Sequence, residues 1–477
     1  MQANITKTEG NKATIEVIVP VDVVKEEYQT SFRKYAQNAR IDGFRKGHVP
    51  KTVLLSRYGA SIQQAVIDKL LQDSIKEVFA DGSKLGVTLA QDLDLQIVEL
   101  SSFQPDAEFK FTCTCNIIPE FDIATAKSIN FEQIKIEVNE DDINKTIDTL
   151  RRQRGKFVPQ EGAEITAQDC EVILNFVGTR DGVAFEGGAA NDFRLEMGRT
   201  QMIPGFCEQL VGHKAGDQFD IECTFPEDYN AEELRGAQAK FAITINQVSV
   251  LQLPEVDAEF IKAFGLEGKS YEEFTQDLKQ QLLAQSEGDV FKYNIRALLL
   301  ALADHFGIDN FKPRERDVEE AARELTKRTF RFTDDKKNDP KFKAFFDMVV
   351  TMSMPPVLPD QIEHSVIYTL TATKSIDVAD PTEDEISALI EKRSILFENP
   401  EEYKQEVRED KEEMRGLRIT CSNQKFYDAL CALVTTSEKV LSYTEAANLF
   451  NKAAEELNNR MTALCEQWYP RTAAKKA

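Results

Sequence analysis

Met197-Gly198-Arg199-Thr200-Gln201-Met202-Ile203-Pro204-Gly205-Phe206-Cys207, followed by Gly212-His213-Lys214-Ala215-Gly216, is the stretch on which the reading of this chain turns. Glycines punctuate it, and only a short helix near Phe206 to Val211 fits between them. On its N-terminal side, Glu171-Val172-Ile173-Leu174-Asn175-Phe176-Val177 reads as a strand, and Arg180-Asp181-Gly182-Val183 carries the Asp-Gly signal of a tight hairpin. On its C-terminal side, Phe219 to Phe225 and Phe241 to Ile245 alternate apolar and polar residues. The unit from about Ala163 to Val250 is therefore expected to be a small antiparallel sheet around one short helix.

Upstream the pattern is α+β. Thr14 to Val19 reads as a strand ending at Pro20, and Val24, Tyr28, Phe32 and Tyr35 recur at helical spacing behind it. After a break at Asp42-Gly43, a second helix is expected from Pro50, with Leu54 and Tyr58 on one face and Gly59 as its stop. A third carries Ile67, Leu71, Ile75 and Val78. In Phe109 to Ile117 the odd positions are apolar, which puts Cys113 and Cys115 on the buried face of a strand. Cys-x-Cys also occurs in metal sites, but the alternation favours a core role. Eight scattered cysteines do not resemble a disulfide framework, and no histidine has metal-ligand spacing. No metal or cofactor is expected.

Downstream of Leu253 the chain turns helical. Ser270-x-x-Glu273, Thr382-x-x-Glu385 and Asn399-Pro400-x-Glu402 read as helix starts, and Phe274, Leu278 and Leu282 repeat at four-residue spacing. Mixed charges from Glu401 to Arg418 suggest long exposed faces. Asn116 to Gly155 links the first two units, and its amphipathic stretch Ile143 to Leu150 is expected to pack on the helical body. Met348, Val349, Val350, Met352 and Met354 form a flexible apolar run suited either to an interhelical core or to binding unfolded chains. The tail Thr472 to Ala477 is expected to fray.

A chain of 477 residues has room for about three domains, and 42% apolar residues suffice for their cores. No basic segment leading into an apolar run opens the sequence, and no stretch reaches the ~18 apolar residues of a membrane span. A cytoplasmic protein with no membrane partner is expected. The net charge of −23 repels phosphate backbones and anionic lipids from the molecule as a whole. Residues 1–117 hold 14 Lys+Arg and 15 Asp+Glu, a net of −1, so the remainder carries −22. Within that first segment Arg33, Lys34, Arg40, Arg45, Lys46, Lys51 and Arg57 face a single acid, Asp42, for a local net of +6. A solvated loop would give the same charges, but the accompanying motif argues for more. In Gly43-Phe44-Arg45-Lys46-Gly47-His48-Val49-Pro50, two glycines permit a tight loop and an aromatic sits between cations. Folding alone does not favour an exposed aromatic at a loop tip. An apolar anchor flanked by cations suits docking to phosphates or acidic side chains.

Together, Gly43 to Pro50 (with Val53, Leu54, Arg57, Tyr58 and Gly59) and Met197 to Gly216 resemble the bacterial trigger factor family, and they occur in the family's order. The resemblance extends over most of the chain, including Leu253-Pro254-Glu255 to Phe264-Gly265, and weakens from about Phe311 to Pro359. It implies a multidomain α+β fold: an α+β ribosome-binding domain over 1–117, a linker over 118–160 packing on the helical body, an FKBP-like antiparallel β domain with one short helix over 161–250, and an all-α two-armed chaperone body over 251–477. It further implies that Gly43, Phe44, Arg45, Lys46 and Gly47 contact protein and rRNA of the large ribosomal subunit at the tunnel exit. Clients would be nascent or unfolded polypeptides, and the free protein is a possible homodimer. Peptidyl-prolyl isomerisation would fall to Phe176, Phe185, Met202, Ile203, Phe206, Phe225, Tyr229 and Phe241, with the Ile203 backbone and the Tyr229 hydroxyl as hydrogen-bond partners of the substrate. The sequence departs from the family pattern at Asn175, where an Asp is common and a charge beside the pocket is expected to be lost. It departs again at Cys207, which stands where an acid is common and reads as a surface or helix substitution.

Overall fold

A computed structural model describes residues 1–80, 85–330, 340–394, 397 and 399–470; the tail expected to fray lies outside the described residues. The chain divides into two compact units, Met1–Glu137 with Gln285–Ala477, and Val138–Ala284. Residues 138–160 and 251–284 fall in the same unit as the sheet of residues 161–250.

The first unit opens with strands β1 (Gln2–Glu9) and β2 (Lys12–Val19), helices α1 (Val21–Asn38) and α2 (Lys51–Phe79), and strands β3 (Thr88–Leu89), β4 (Gln96–Leu100) and β5 (Phe109–Ile118). The sheet runs β1-β2-β5-β3, with β4 also on β5. Alternation decides its buried face: Ala13, Ile15, Val17 and Val19 of β2 and Phe109, Phe111, Cys113 and Cys115 of β5 are all 2% exposed or less. Burial pushes the thiols of Cys113 and Cys115 up to about 11, as expected of inert core cysteines. The two helices expected between Pro50 and Val78 are one. Leu54, Ile62, Val66, Leu70, Ser74 and Val78 make one buried stripe along α2, with Tyr58 half-buried on the same face, and Gly59 sits within the helix with open space where a side chain would be. A mid-helix glycine costs about 1 kcal/mol, less than the burial of apolar residues on both sides of it contributes.

A 3₁₀ turn (Ile123–Ser128) leads to β6 (Asn130–Glu137), the last element before the second unit. That unit comprises α3 (Glu140–Arg154), strands β7 (Lys156–Pro159), β8 (Cys170–Arg180), β9 (Val183–Glu196), β10 (Gln218–Thr224) and β11 (Gln238–Gln252), α4 (Ala258–Lys262) and the start of the long helix α5 (Tyr271–His305). Its antiparallel sheet runs β10-β11-β8-β9, with β7 also on β11. The Asp-Gly hairpin forms as expected: Asp181 and Gly182 both take positive φ, 51° and 82°, between β8 and β9. The short helix expected at Phe206 to Val211 is a single 3₁₀ turn, Glu208–Leu210. Ile143, Ile147 and Leu150 of α3 pack on Phe260 of α4 and on Phe274 and Leu278 of α5.

The first unit resumes with the rest of α5, then α6 (Glu315–Phe330), α7 (Pro340–Met352), α8 (Met354–Ala372), α9 (Glu383–Ser394), α10 (Pro400–Glu409), α11 (Lys411–Leu433), strand β12 (Thr435–Ser442) and α12 (Tyr443–Trp468). The helix starts at Ser270 and Thr382 are reciprocal caps, each hydroxyl accepting from the backbone three residues on while that glutamate accepts in return. At Asn399 the backbone cap is absent, and its side-chain amide donates to Glu402 instead. The body is helical but not purely so: β12 pairs in parallel with β6. The amide of Asn294 on α5 both donates to and accepts from the backbone of Ile134, completing β6 as a neighbouring strand would. The methionine run spans two helices: Val349 and Val350 of α7 and Met354 at the start of α8 are buried, while Met348 and Met352 of α7 are exposed. No described helix is long and apolar enough to cross a membrane.

Candidate functional site

Two groups of candidate residues lie in different units. The first is the connection between α1 and α2. Ala39 N–H donates to Tyr35 O (2.8 Å) as α1 ends, and the ring of Tyr35 meets that of Tyr58 at 6.2 Å. Tyr58 Oη lies 3.4 Å from Arg40 O, so the foot of the loop rests on α2. Beyond it, Gly43 and Gly47 take φ of 88° and 81°, which other residues rarely adopt. Phe44 N–H donates to Ile41 O and His48 N–H to Arg45 O, giving two successive tight turns. Every residue from Asp42 to His48 is exposed, and Phe44 is 42% accessible. Phe44 thus does not fold back into the core. Among the described residues, none of Arg33, Lys34, Arg40, Arg45, Lys46, Lys51 and Arg57 is engaged in an ion pair. Lys51 Nζ lies 5.8 Å from the centroid of the Phe32 ring, and the other six, all exposed, leave their charge to solvent.

The second group is brought together on one face of the β8–β11 sheet. Alternation aims Phe176 of β8 and Phe241 of β11 at the same side, where Phe206 packs between them. Ring centroids are 6.1 Å apart for Phe176–Phe241, 5.8 Å for Phe176–Phe206 and 5.4 Å for Phe206–Phe241. Phe225 lies 6.5 Å from Phe241, Phe185 bridges those two at 5.9 and 6.1 Å, and Tyr229 sits 4.7 Å from Phe225. Most of these pairs meet edge to face, the arrangement aromatic quadrupoles favour. Phe176, Phe206, Phe225 and Phe241 are buried and form the floor. Phe185, Met202, Ile203 and Tyr229 pack against it half-buried and form the rim. All eight predicted residues thus share one cluster. Two polar groups are available at that rim: among the described residues the Ile203 N–H and the Tyr229 hydroxyl make no hydrogen bond, while Ile203 O accepts from Phe206 N–H.

Two expectations change. Asn175 precedes Phe176 on a strand, so its side chain projects from the opposite face of the sheet. There Asn175 Oδ1 accepts from Asp192 N–H (2.7 Å) and from Asn246 Nδ2 (3.0 Å), away from the aromatic cluster. Its missing charge is not on the face that carries that cluster. Cys207 is half-buried against the cluster and not a plain surface residue, and burial raises its thiol pKa. Sequence reasoning missed Phe193, whose ring meets Phe176 edge-on at 5.6 Å. Its strand was hidden by the run Gly187-Gly188-Ala189-Ala190-Asn191-Asp192.

An aromatic floor with an open amide at its rim, on a small antiparallel sheet, defines the class of the module. Residues 162–246 match the model of the FKBP-type peptidyl-prolyl cis-trans isomerase, and residues 1–150 match that of bacterial trigger factor protein. Trigger factor of Pasteurella multocida (strain Pm70) is 32% identical over 461 residues, covering 94% of this chain and 99% of that one. The Haemophilus influenzae (strain 86-028NP) protein of that name is 30% identical over 452 residues, with the same coverage. A trigger factor of Actinobacillus pleuropneumoniae serotype 3 (strain JL03) is 39% identical over 285 residues, 59% of this chain and 63% of its own length. A solved structure of the trigger factor chaperone covers 91% of the chain at 19% identity and a TM-score of 0.42. The chain belongs to the trigger factor family.

Proposed function

We propose that this chain is a ribosome-associated chaperone that meets nascent polypeptides at the tunnel exit and isomerises their prolyl bonds. Residues 1–117 serve docking, 118–160 link, 161–250 isomerise and 251–477 hold clients. The observation that carries the reading is the exposed Phe44 among cations that no acid of the described chain neutralises. On a molecule of net charge −23, only such a patch can approach rRNA. Gly43 and Gly47 shape the tip, Phe44 anchors it on a protein surface, and Arg45 and Lys46 pair with phosphates or acidic side chains. The cytoplasm is the compartment in which this docking operates, and the same patch is suited to meet a second, acidic copy when the protein is free.

Isomerisation needs no nucleophile and no proton transfer. Rotation about a peptide bond meets a barrier of about 18–20 kcal/mol because amide resonance must be broken. At the twisted geometry the amide loses resonance and charge separation, so an apolar floor of Phe176, Phe206, Phe225 and Phe241 favours it over the planar ground state. Phe185 and Met202 flank the prolyl ring, the Ile203 N–H holds a substrate carbonyl, and the Tyr229 hydroxyl offers a second contact.

Pelleting the purified chain with ribosomes through a cushion, at low and then moderate salt, tests the docking half. Binding is expected to fall steeply between about 50 and 200 mM salt, as cation–phosphate contacts require. Absent or salt-independent binding would leave a free isomerase or a scaffold in its place.

A further inference from the structure

Phe185 owes its place to a defect in the sheet. β8 and β9 pair regularly at Val177↔Ala189 and Thr179↔Ala184, so the four residues Phe185 to Gly188 are looped out opposite the single residue Gly178. A bulge of this size bends the strand and re-aims its side chains. Here it carries the Phe185 ring back over the sheet, against Phe225 and Phe241. Two glycines then face the ring. A Cβ on Gly188 would lie 2.6, 2.8 and 2.9 Å from Phe185 Cε2, Cζ and Cδ2, and one on Gly178 would lie 2.8 Å from Phe185 Cζ and 2.7 Å from Phe241 Cε1. Such separations are well inside van der Waals contact, so even a methyl group displaces the ring.

The reason these positions are glycine is space and not backbone conformation. Neither Gly178 nor Gly188 takes a positive φ, whereas their neighbour Gly187 does, at 77°, with nothing within 4 Å of its missing side chain. The left-handed conformation is therefore not what holds glycine at 178 and 188: at 188 a side chain is refused by the Phe185 ring, and at 178 by the rings of Phe241 and Phe185 together with the Gly188 carbonyl oxygen, 3.0 Å away. At 187 the opposite holds.

We infer that Gly178 and Gly188 are positioning residues of the isomerase pocket, which seat the Phe185 ring against the prolyl site without touching the substrate. The inference rests on the reading of the aromatic cluster as that site. Gly188 is the sharper of the two, because all three of its nearest atoms belong to Phe185. A ring moved by about 1 Å costs up to a hundredfold in rate when it contacts the reacting group, so Gly188→Ala is expected to lower kcat/KM roughly tenfold.

The test is a double-mutant cycle in the full-length chain, reading kcat/KM for cis-to-trans isomerisation of a Phe-Pro peptide, with thermal melting alongside. Gly188→Ala, Phe185→Leu and the double variant are compared with wild type. The expected result is a loss in each single variant, no further loss in the double relative to Phe185→Leu, and melting within a few degrees throughout. Wild-type kcat/KM in Gly188→Ala, or losses that multiply in the double variant, would overturn the positioning role. Should Gly188→Ala not fold, the double variant against Phe185→Leu decides, since the smaller side chain vacates the space: equal rates support the role and a further fall overturns it. Wild-type kcat/KM in Phe185→Leu would instead remove the reading of the pocket on which the inference depends.

Discussion

The proposed docking loop and the proposed prolyl pocket both rely on phenylalanine, and they use it in opposite ways. Phe44 is held out of the core by glycine-permitted turns and, among the described residues, has no ring neighbour, so little of the fold depends on it. In the aromatic cluster, Phe206 is fully buried and touches the rings of Phe176 and Phe241, so the proposed recognition surface and the core are the same atoms. A site built on a loop can change without unfolding its domain. A site built from a core cannot, and its tuning must come from the half-exposed rim.

The sharpest way to break this comparison is to truncate one phenylalanine from each region. Phe206→Ala should destabilise the isomerase unit by about 3–5 kcal/mol, the usual cost of emptying an aromatic core position. Phe44→Ala should leave the melting transition of the full chain where it was. Denaturant unfolding of both variants checks this, and a destabilised Phe44→Ala would mean the loop is part of the core after all. Next in size is the rim. Tyr229→Phe removes a hydroxyl with no hydrogen bond among the described residues. It should lower kcat/KM about fivefold, in keeping with the ~1 kcal/mol of a neutral hydrogen bond, without moving the melting temperature. Equal activity would assign that hydroxyl to solvent.

The smallest expected effect concerns Asn175. Asn175→Asp restores the commoner residue on the wrong face of the sheet for catalysis, so peptide isomerisation should stay within about twofold of wild type, the new charge being screened by solvent. Stability should fall slightly, because the new carboxylate joins Asp192 at the same hydrogen-bonded corner. A large gain in rate would place the side chain's influence in the pocket.

How much of this was legible in the sequence follows the same division. The loop was readable because glycine spacing and charge are local properties. So was the Asp181-Gly182 hairpin, whose turn chemistry is written in two residues. Membership of Phe225, Tyr229 and Phe241 in one pocket came only from family resemblance, since packing joins residues far apart in the chain. Among the strands that went unread, β1, β9 and β12 are polar or glycine-rich: β12 is Thr-Thr-Ser-Glu-Lys-Val-Leu-Ser, and nearly all of it is exposed. Gly59 looked like a helix stop because a local rule was applied where the tertiary stripe from Leu54 to Val78 overrides it. Asn175 is different, since strand alternation alone assigns it to the face opposite Phe176.

The account stands most directly on ribosome pelleting of Phe44→Ala/Arg45→Ala/Lys46→Ala beside wild type at low salt, with peptide isomerisation measured on the same samples. The variant should lose at least tenfold in ribosome affinity, several cation–phosphate contacts and the anchor having gone, while turning over the Phe-Pro peptide at the wild-type rate. Undiminished pelleting of a variant that still isomerises would contradict it.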